Sequence, residues 1–239
     1  MKALQIEYIK LFRPYAYIIA GLLLLAFILR AVFMLQLSAA IDKEMVMKAL
    51  DAGQVETIYT LFSIFMIINI GKEYSENTLR RSVIEGYTRT QFFTGKILLV
   101  IAAGVFALVL QKLVFFISAA SAGLMKEALD CLTMAGVFIP LLKVIFYGLF
   151  ALFLVFVTRS IAFSIVLSIF WGPGESLVHF YLKYKFPEAD YGSYLPMASL
   201  AQTLGADGLI AVKFVLISIA YQLAMVVSSY GLLANRDIK

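Results

Sequence analysis

Long apolar segments constrain this chain more than any other feature of its sequence. A helix needs about 20 mostly apolar residues to cross the roughly 30 Å hydrocarbon core of a bilayer, because each residue rises about 1.5 Å. The 239-residue chain contains six such segments. They span residues 15–38, 55–70, 97–121, 132–157, 160–182 and 209–233. We therefore expect an all-α integral membrane protein with six transmembrane helices in one domain, residues 1–239.

Composition excludes the soluble classes of protein. Hydrophobic residues make up 62% of the chain and charged residues 15%, against roughly 45–50% and about 25% in soluble domains. The apolar runs are continuous rather than alternating, which excludes a barrel and favours helices. The first run is also too long for a removable signal peptide, so we interpret it as a retained helix. With one cysteine, Cys131, and one histidine, His179, we expect no disulfide and no metal site.

Lysine and arginine are distributed unevenly between the two sides of the membrane. Five lysines fall on one side, namely Lys43, Lys48, Lys126, Lys183 and Lys185. Eleven basic residues fall on the other, namely Lys2, Lys10, Arg13, Lys72, Arg80, Arg81, Arg89, Lys96, Arg159, Arg236 and Lys239. The positive-inside rule predicts that both termini are cytoplasmic. The net charge of +5 is thus explained by topology, and we expect no nucleic-acid partner.

Two segments outside the spans have a pattern of their own. Residues 1–14 mix apolar side chains with Lys2, Lys10 and Arg13 and end at Pro14. This pattern favours an amphipathic helix lying in the membrane interface, with a cytoplasmic extension of the first span as the alternative. Residues 183–208, which contain Pro187 and several tyrosines, are predicted to form a small folded external cap.

The segment from residue 72 to residue 96 is polar and too long for a tight turn. Asn77 and Thr78 are typical of a helix cap, and Gly86 is typical of a break between two short helices. The second of these helices, residues 88–94, is expected to present Phe92 and its neighbour Phe93 outside the membrane. Aromatic side chains beside an arginine are suited to binding another protein. The alternative is a solvated connector.

Short motifs in this segment resemble the cytoplasmic loop of type-2 ABC exporter permeases, the membrane subunits of ATP-driven exporters. They are Glu73-Tyr74, Thr78-Leu79-Arg80, Thr88-Arg89 and Gly95-Lys96, and the ending Arg236-Asp237-Ile238 is similar to that of the family. The six-span layout and the N-terminal interfacial segment also match. Asn77 stands where the family often has glycine, and Gly86-Tyr87-Thr88 replaces its frequent Pro-Val-Ser.

The resemblance implies that residues 72–96 are a coupling loop seated in a groove of a separate ABC ATPase subunit. The residues it assigns to coupling are Glu73, Tyr74, Thr78, Leu79, Arg80, Gly86, Thr88, Arg89, Phe92, Gly95 and Lys96. It also implies a homodimer, or a heterodimer with a related permease, in the bacterial cytoplasmic (inner) membrane, in contact with membrane lipids.

The chain itself is not expected to be an enzyme or to hold a cofactor, and ATP and magnesium would bind the partner subunit. Gly95-Lys96 does not form a phosphate-binding loop. Ile97 stands where that motif needs serine or threonine, and Thr90 stands where it needs its first glycine. Two other classes remain open. One is a non-transporting membrane assembly or regulatory protein that docks a cytoplasmic partner, and the other is an intramembrane enzyme or ion-coupled carrier using Glu175 and His179.

Four ionisable residues lie well inside the predicted spans: Arg30, Lys112, Lys143 and Glu175. Each is 14 or 15 residues from the predicted cytoplasmic end of its helix, which places all four at a similar depth, about 21–23 Å. Charges there are costly unless paired or hydrated. We hypothesise one polar layer in which Glu175 pairs with one or two basic residues and the remaining positive charge faces a cavity. The alternative for the basic residues is snorkelling to the head groups.

The sequence Gly172-Pro173-Gly174 immediately precedes Glu175. Proline removes a backbone donor and glycine permits bending, so this position is predicted to be a hinge or a re-entrant turn, or else a static kink. His179 follows Glu175 by four residues. A helix that resumes here would place both side chains on one face, as a proton relay or as structural partners.

Overall fold

A computed structural model describes residues 56–75, 88–121, 125–130, 133–203 and 211–235, with the isolated helical residues 21, 25, 28 and 32. Every element in these ranges is a helix, which confirms the all-α prediction for this part of the chain. The long helices and the first short one are α1 (Glu56–Ser75), α2 (Arg89–Ser121), α3 (Met125–Asp130), α4 (Met134–Thr158) and α5 (Ile161–Lys185). A 3₁₀ helix (Tyr191–Tyr194), α6 (Pro196–Ala201) and α7 (Val212–Ala234) follow.

Four helices within the described ranges are long and apolar enough to cross a membrane. These stretches are Arg89–Ile117, Gly136–Thr158, Ile161–Lys185 and Val212–Ala234, and α1 contributes a shorter apolar stretch, Tyr59–Lys72. They fit a multi-pass membrane protein. The predicted interfacial helix lies outside the described residues, as does most of the first span. The count of six spans therefore stays a prediction.

Helix α4 is the central helix of the bundle. It packs against α1, α2, α5 and α7, and 67% of its apolar stretch is buried within the chain, compared with 33%, 17% and 22% for α2, α5 and α7. Three of its phenylalanines, Phe146, Phe150 and Phe156, are almost fully buried. Helices α2, α5 and α7 therefore leave most of their apolar surface for lipid or for a second protein.

Gly148 lies where three helices of the core come close together. A Cβ atom on Gly148 of α4 would lie 2.6 Å from Val100 of α2 and 3.2 Å from Phe62 of α1. No side chain fits at those distances, so glycine permits three helices to meet at one point. Such close approach is typical of helix packing in membranes, where dispersion forces rather than exclusion of water hold helices together.

Helices α4 and α5 are joined by a tight turn at residue 159, between the predicted spans 132–157 and 160–182. Arg159 ends α4 in the left-handed conformation, with φ of 56°, and Ser160 caps α5 by accepting the N–H of Phe163 at 3.4 Å. Thr158 contributes a second local contact, a 2.6 Å hydrogen bond between its hydroxyl and that of Ser164. The turn is short enough to hold α4 and α5 side by side.

Two boundaries differ from the sequence prediction. Helix α2 begins at Arg89, so residues 88–94 are not a separate short helix but the first turns of a 33-residue helix. Helix α5 continues through Gly172-Pro173-Gly174, so no re-entrant turn forms there. A proline removes only one hydrogen bond from a helix, and neighbouring groups within a membrane can compensate for that loss.

Candidate functional site

A cavity of about 710 Å³ lies between α1, α4, α5 and α6. Its apolar wall includes Leu61, Ile64, Ile169 and Met197, and its polar wall includes Thr60, Tyr147, Ser168, Glu175, Ser176 and His179. A largely apolar cavity of this size with a few polar groups is typical of sites that bind small molecules. We call it the Glu175 cavity.

Glu175 is almost fully buried, with 9% of its surface exposed. Its Oε1 atom accepts the backbone N–H groups of Met197 at 2.6 Å and Ala198 at 2.9 Å. Its Oε2 atom accepts the indole N–H of Trp171 at 3.1 Å. Hydrogen bonds to an ionised acceptor are about twice as strong as neutral ones. The carboxylate thus joins α5 to the start of α6.

The sequence of α6 explains why it binds a carboxylate from another helix. The N-cap residue, Leu195, has no oxygen in its side chain, and Pro196 opens the helix. Proline has no N–H, so the first N–H groups available are those of Met197 and Ala198. The first turn of a helix carries unsatisfied donors and a partial positive charge, both of which favour an anion. Glu175 therefore acts as an N-cap supplied from 22 residues earlier in the chain.

Trp171, Glu175 and His179 are spaced by four residues and share one face of α5. The indole of Trp171 also packs on Phe150 of α4, with ring centroids 5.1 Å apart. The imidazole of His179 lies against Gly192, where an added Cβ would come within 2.3 Å of the ring. A larger residue at position 192 would therefore force the imidazole or the cap to move. Glu175 and His179 both line the cavity, so the prediction that they share a face is confirmed.

Residues 191–203, which we call the cap, are held to α7 by further polar contacts. The hydroxyl of Tyr221 donates to the carbonyl of Tyr194 at 2.8 Å. The ammonium of Lys213 lies 4.5 Å from the centre of the Tyr194 ring and donates to its hydroxyl. Ser199 and Ser218 place their hydroxyls 3.5 Å apart. The predicted folded segment 183–208 thus contains two short helices, although α5 extends into it as far as Lys185.

Buried hydroxyl and amide groups join the long helices beside the cavity. Ser63 of α1 and Ser168 of α5 form a 3.0 Å hydrogen bond between their hydroxyls. The side-chain amide of Gln222 in α7 donates to the carbonyl of Leu142 in α4 at 3.3 Å. Side-chain hydrogen bonds of this kind contribute roughly 1 kcal/mol to association between membrane helices.

The other members of the predicted polar layer lie on other helices or outside the described residues. Lys112 is half-buried on α2, and its ammonium lies 5.4 Å from the centre of the Phe115 ring on the same helix. Lys143 is half-buried on α4, and Arg30 lies outside the described residues. The hydrogen bonds from Glu175 to the cap were not predicted. A shared layer of four charges stays a prediction.

Residues 88–96, the described part of the predicted coupling segment next to α2, lie beside the C-terminal end of α4, where Phe93 packs on Phe156. Arg89, the first residue of α2, donates through Nη1 to the carbonyl of Leu233 at 3.3 Å and to that of Ala234. Thr90 and Tyr230 place their hydroxyls 3.2 Å apart. The carbonyls at a helix C-terminus lack partners within the helix and favour a cation. Arg89 therefore ties the start of α2 to the end of α7.

Phe92 and Phe93 are buried, with 9% and 5% exposure, which corrects the prediction that both face a partner. The Phe93 ring packs on Phe156 of α4 and on Tyr230 of α7, with centroids 6.0 and 5.4 Å away. The Lys96 ammonium lies 5.2 Å from the centre of the Phe92 ring, and its side chain is fully buried. The physical reason is the early start of α2, whose first turns pack inside the bundle.

The other coupling residues are only partly described. Thr88 caps α2 by accepting the N–H of Gln91 at 3.2 Å, while the Gln91 side chain accepts the N–H of Thr88 at 3.1 Å. Gly95 is buried in the second turn of α2. Glu73 and Tyr74 belong to the last turn of α1. Thr78, Leu79, Arg80 and Gly86 lie outside the described residues.

Three residues at these sites were missed in the sequence. Trp171 had a signal, because it precedes Glu175 by four residues and an indole N–H needs a partner when buried. Gly192 and Tyr230 had none, because their importance depends on contacts with residues far away in the chain.

The chain matches no protein-family model and no curated protein.

Proposed function

We propose that this chain is the permease subunit of a type-2 ABC exporter, which forms a substrate pathway and couples it to ATP hydrolysis on a separate subunit. The observation that carries the proposal is the position of the segment with the family motifs. Residues 72–96 begin in the last turn of α1 and end in the second turn of α2. Within them, Arg89 is hydrogen-bonded to the end of α7. A displacement of this segment would therefore act on three helices at once.

The length of α2 suits it to transmit such a displacement. Its 33 residues extend about 50 Å, well beyond the roughly 30 Å hydrocarbon core. The reciprocal hydrogen bonds between Thr88 and Gln91 hold its first turn in helical form. Phe93 and Lys96 are buried in the bundle just after this turn. The start of α2 is thus firmly attached to the core of a helix bundle, and the helix is long enough to extend beyond the hydrocarbon.

We give different roles to the proposed coupling residues between α1 and α2 and to those within α2. Contact with the ATPase belongs to the residues between the two helices, including Thr78, Leu79 and Arg80. Arg89, Phe92 and Lys96 transmit the movement inside the bundle. Arg89 is hydrogen-bonded to the end of α7, and the side chains of Phe92 and Lys96 are buried. ATP and magnesium would bind the ATPase subunit.

The outward faces of the helices suit an assembly in the membrane. Only 17% of the apolar stretch of α5 is buried within the chain, and it exposes large side chains such as Phe163, Phe170 and Leu177. In our proposal these faces contact lipid and a second permease, identical or related. The assembly would lie in the bacterial inner membrane with both termini in the cytoplasm.

The test is co-expression with an ABC ATPase subunit encoded beside this chain, followed by purification and reconstitution in lipid nanodiscs. We expect the chain to raise ATP hydrolysis by the ATPase subunit, and the Arg80→Ala variant to lose most of that increase. Lys239→Ala is the matched control, because it removes a basic residue predicted on the same side of the membrane but outside the segment.

Two outcomes would contradict the proposal in different ways. If no ATPase subunit is retained on purification, the coupling role is wrong. If the subunit is retained but its hydrolysis does not respond to this chain, the non-transporting assembly or regulatory protein becomes the better description.

A further inference from the structure

We propose that the cap is a lid on the Glu175 cavity and that the carboxylate of Glu175 is the latch that keeps the lid closed. The proposal concerns access to the cavity and does not depend on an ATPase partner. It rests on how the cap is attached to α7, how the start of α6 is attached to α5, and which residues lie next to the latch.

The cap forms part of the cavity wall. Met197, Ala198 and Ala201 of α6 line the cavity together with residues of α1, α4 and α5. Moving α6 away would therefore remove one wall and open the cavity on that side. Among the described helices that line the cavity, α6 is the short one, and a six-residue helix has no stability of its own without tertiary contacts.

One side of the cap is firmly attached to α7. Tyr194 accepts a hydrogen bond from Tyr221 and contacts Lys213, and Ser199 lies beside Ser218. The end of the cap is also bonded to the start of α7, through the N–H of Ala211 and the carbonyl of Thr203 at 2.9 Å. These contacts are distributed over the length of the cap, as expected for the side on which a lid turns.

The other side of the cap lies against α5: the 3₁₀ helix packs on it, and the Phe186 ring just after α5 contacts Tyr191, with centroids 5.5 Å apart. Glu175 supplies the hydrogen bonds to the first two N–H groups of α6 that can donate. His179 adds a close contact with Gly192, but its ring makes no hydrogen bond to any residue that the structure describes. Among the hydrogen bonds between α5 and the cap in the described residues, those that the Glu175 carboxylate accepts hold the start of α6.

The latch lies next to the most deformable part of α5. Gly172 and Pro173 line the same cavity as Glu175, and proline at position 173 leaves one backbone hydrogen bond of α5 unmade. A Cβ on Gly172 or Gly174 would meet nothing within 4 Å, so there is free space around this turn. Bending here would carry Glu175 away from Met197 and Ala198. Bending at the predicted hinge would thus release the contacts of the buried carboxylate, so the two features act together in opening the lid.

The test uses thiol accessibility in a Cys131→Ser background, since Cys131 is the only cysteine of the chain. Ser168→Cys is the reporter, because Ser168 lines the cavity and is 6% exposed. The probe is a charged, membrane-impermeant maleimide applied to the protein in lipid nanodiscs. We expect Glu175→Ala to raise the labelling rate by about tenfold or more, since hydrogen bonds to a charged group contribute on the order of 1.5–3 kcal/mol each.

Three further variants separate a latch from a general loss of structure. Glu188→Gln neutralises an exposed acid near the cap and should leave labelling unchanged. Gly192→Ala pushes the cap off His179 with the latch residue intact, and should raise labelling as well. A second reporter, Ser229→Cys, is fully buried at the Arg89 end of α7 and should stay protected in Glu175→Ala.

Labelling of the Ser168→Cys reporter at the same rate with and without Glu175 would overturn the proposal. So would an equal increase at the Ser229→Cys reporter, because Glu175→Ala would then loosen the whole bundle rather than the lid. Neither result bears on the ATPase measurement, which uses a different segment of the chain.

Discussion

Two charged side chains in the described part of this chain bind the ends of helices. Glu175 binds the N–H groups at the start of α6, and Arg89 binds the carbonyls at the end of α7. Both helix ends carry unsatisfied backbone groups of the opposite polarity. In surroundings this apolar, such groups need a partner, and a long-range side chain supplies it.

Sequence reasoning identified Glu175 and Arg89 but could not identify their partners. A carboxylate inside an apolar run is conspicuous, and the depth of Glu175 pointed to a role inside the membrane. Its partners are backbone groups 22 and 23 residues later, which have no side-chain signature. Only Pro196, which is common in the first turn of a helix, hints that free N–H groups follow.

Arg89→Ala should lower the thermal stability of the purified protein, because it removes the cation from the carbonyls of Leu233 and Ala234. We expect a loss of about 1.5–3 kcal/mol, as for hydrogen bonds to charged groups. Arg89→Lys should lose less, since an ammonium can still donate to one carbonyl. The measurement is the unfolding midpoint in detergent. Equal midpoints for the parent and Arg89→Ala would show that this contact is not stabilising.

At the level of helices, the predicted start of a span agrees with the structure for α4 and α5, where a polar capping residue marks it. Thr133 and Ser160 cap α4 and α5, close to the predicted starts of those spans. The start of α2 was placed eight residues too late, because its first turns contain polar residues and were assigned to the loop. Thr88 and Gln91 form a capping box, whose spacing of three residues is readable in the sequence.

Gly148→Ala tests the contact between α1, α2 and α4. The new methyl group would lie 2.6 Å from Val100, and overpacking of this kind costs about 1–3 kcal/mol. Gly231→Ala is the matched control, because a Cβ there meets nothing within 4 Å and alanine favours a helix. We expect the unfolding midpoint to fall in the first variant and to stay level or rise in the second.

A midpoint unchanged by Gly148→Ala would mean that the three helices are not in close contact. Combining Gly148→Ala with Val100→Ala should restore part of the stability, since the shorter side chain makes room for the added methyl group.

On the scale of the whole molecule, hydrophobicity predicted that the helices lie in a membrane but not how they are arranged. In a soluble bundle, the apolar face of each helix indicates the core. Here lipid is as apolar as the core, so that signal is lost. The central position of α4, the packing of α2 against α7 through Phe93, and the cap beside α5 all depend on long-range contacts.

The account depends most on residues 72–96 lying in the cytoplasm, where a motor subunit can reach them. The direct measurement is maleimide labelling of a Thr78→Cys variant in a Cys131→Ser background, in inside-out membrane vesicles and in intact cells. We predict rapid labelling in the vesicles, protection when the ATPase subunit is bound, and no labelling by an impermeant reagent in intact cells. Labelling only from outside intact cells would place the segment on the wrong side of the membrane and contradict the exporter proposal.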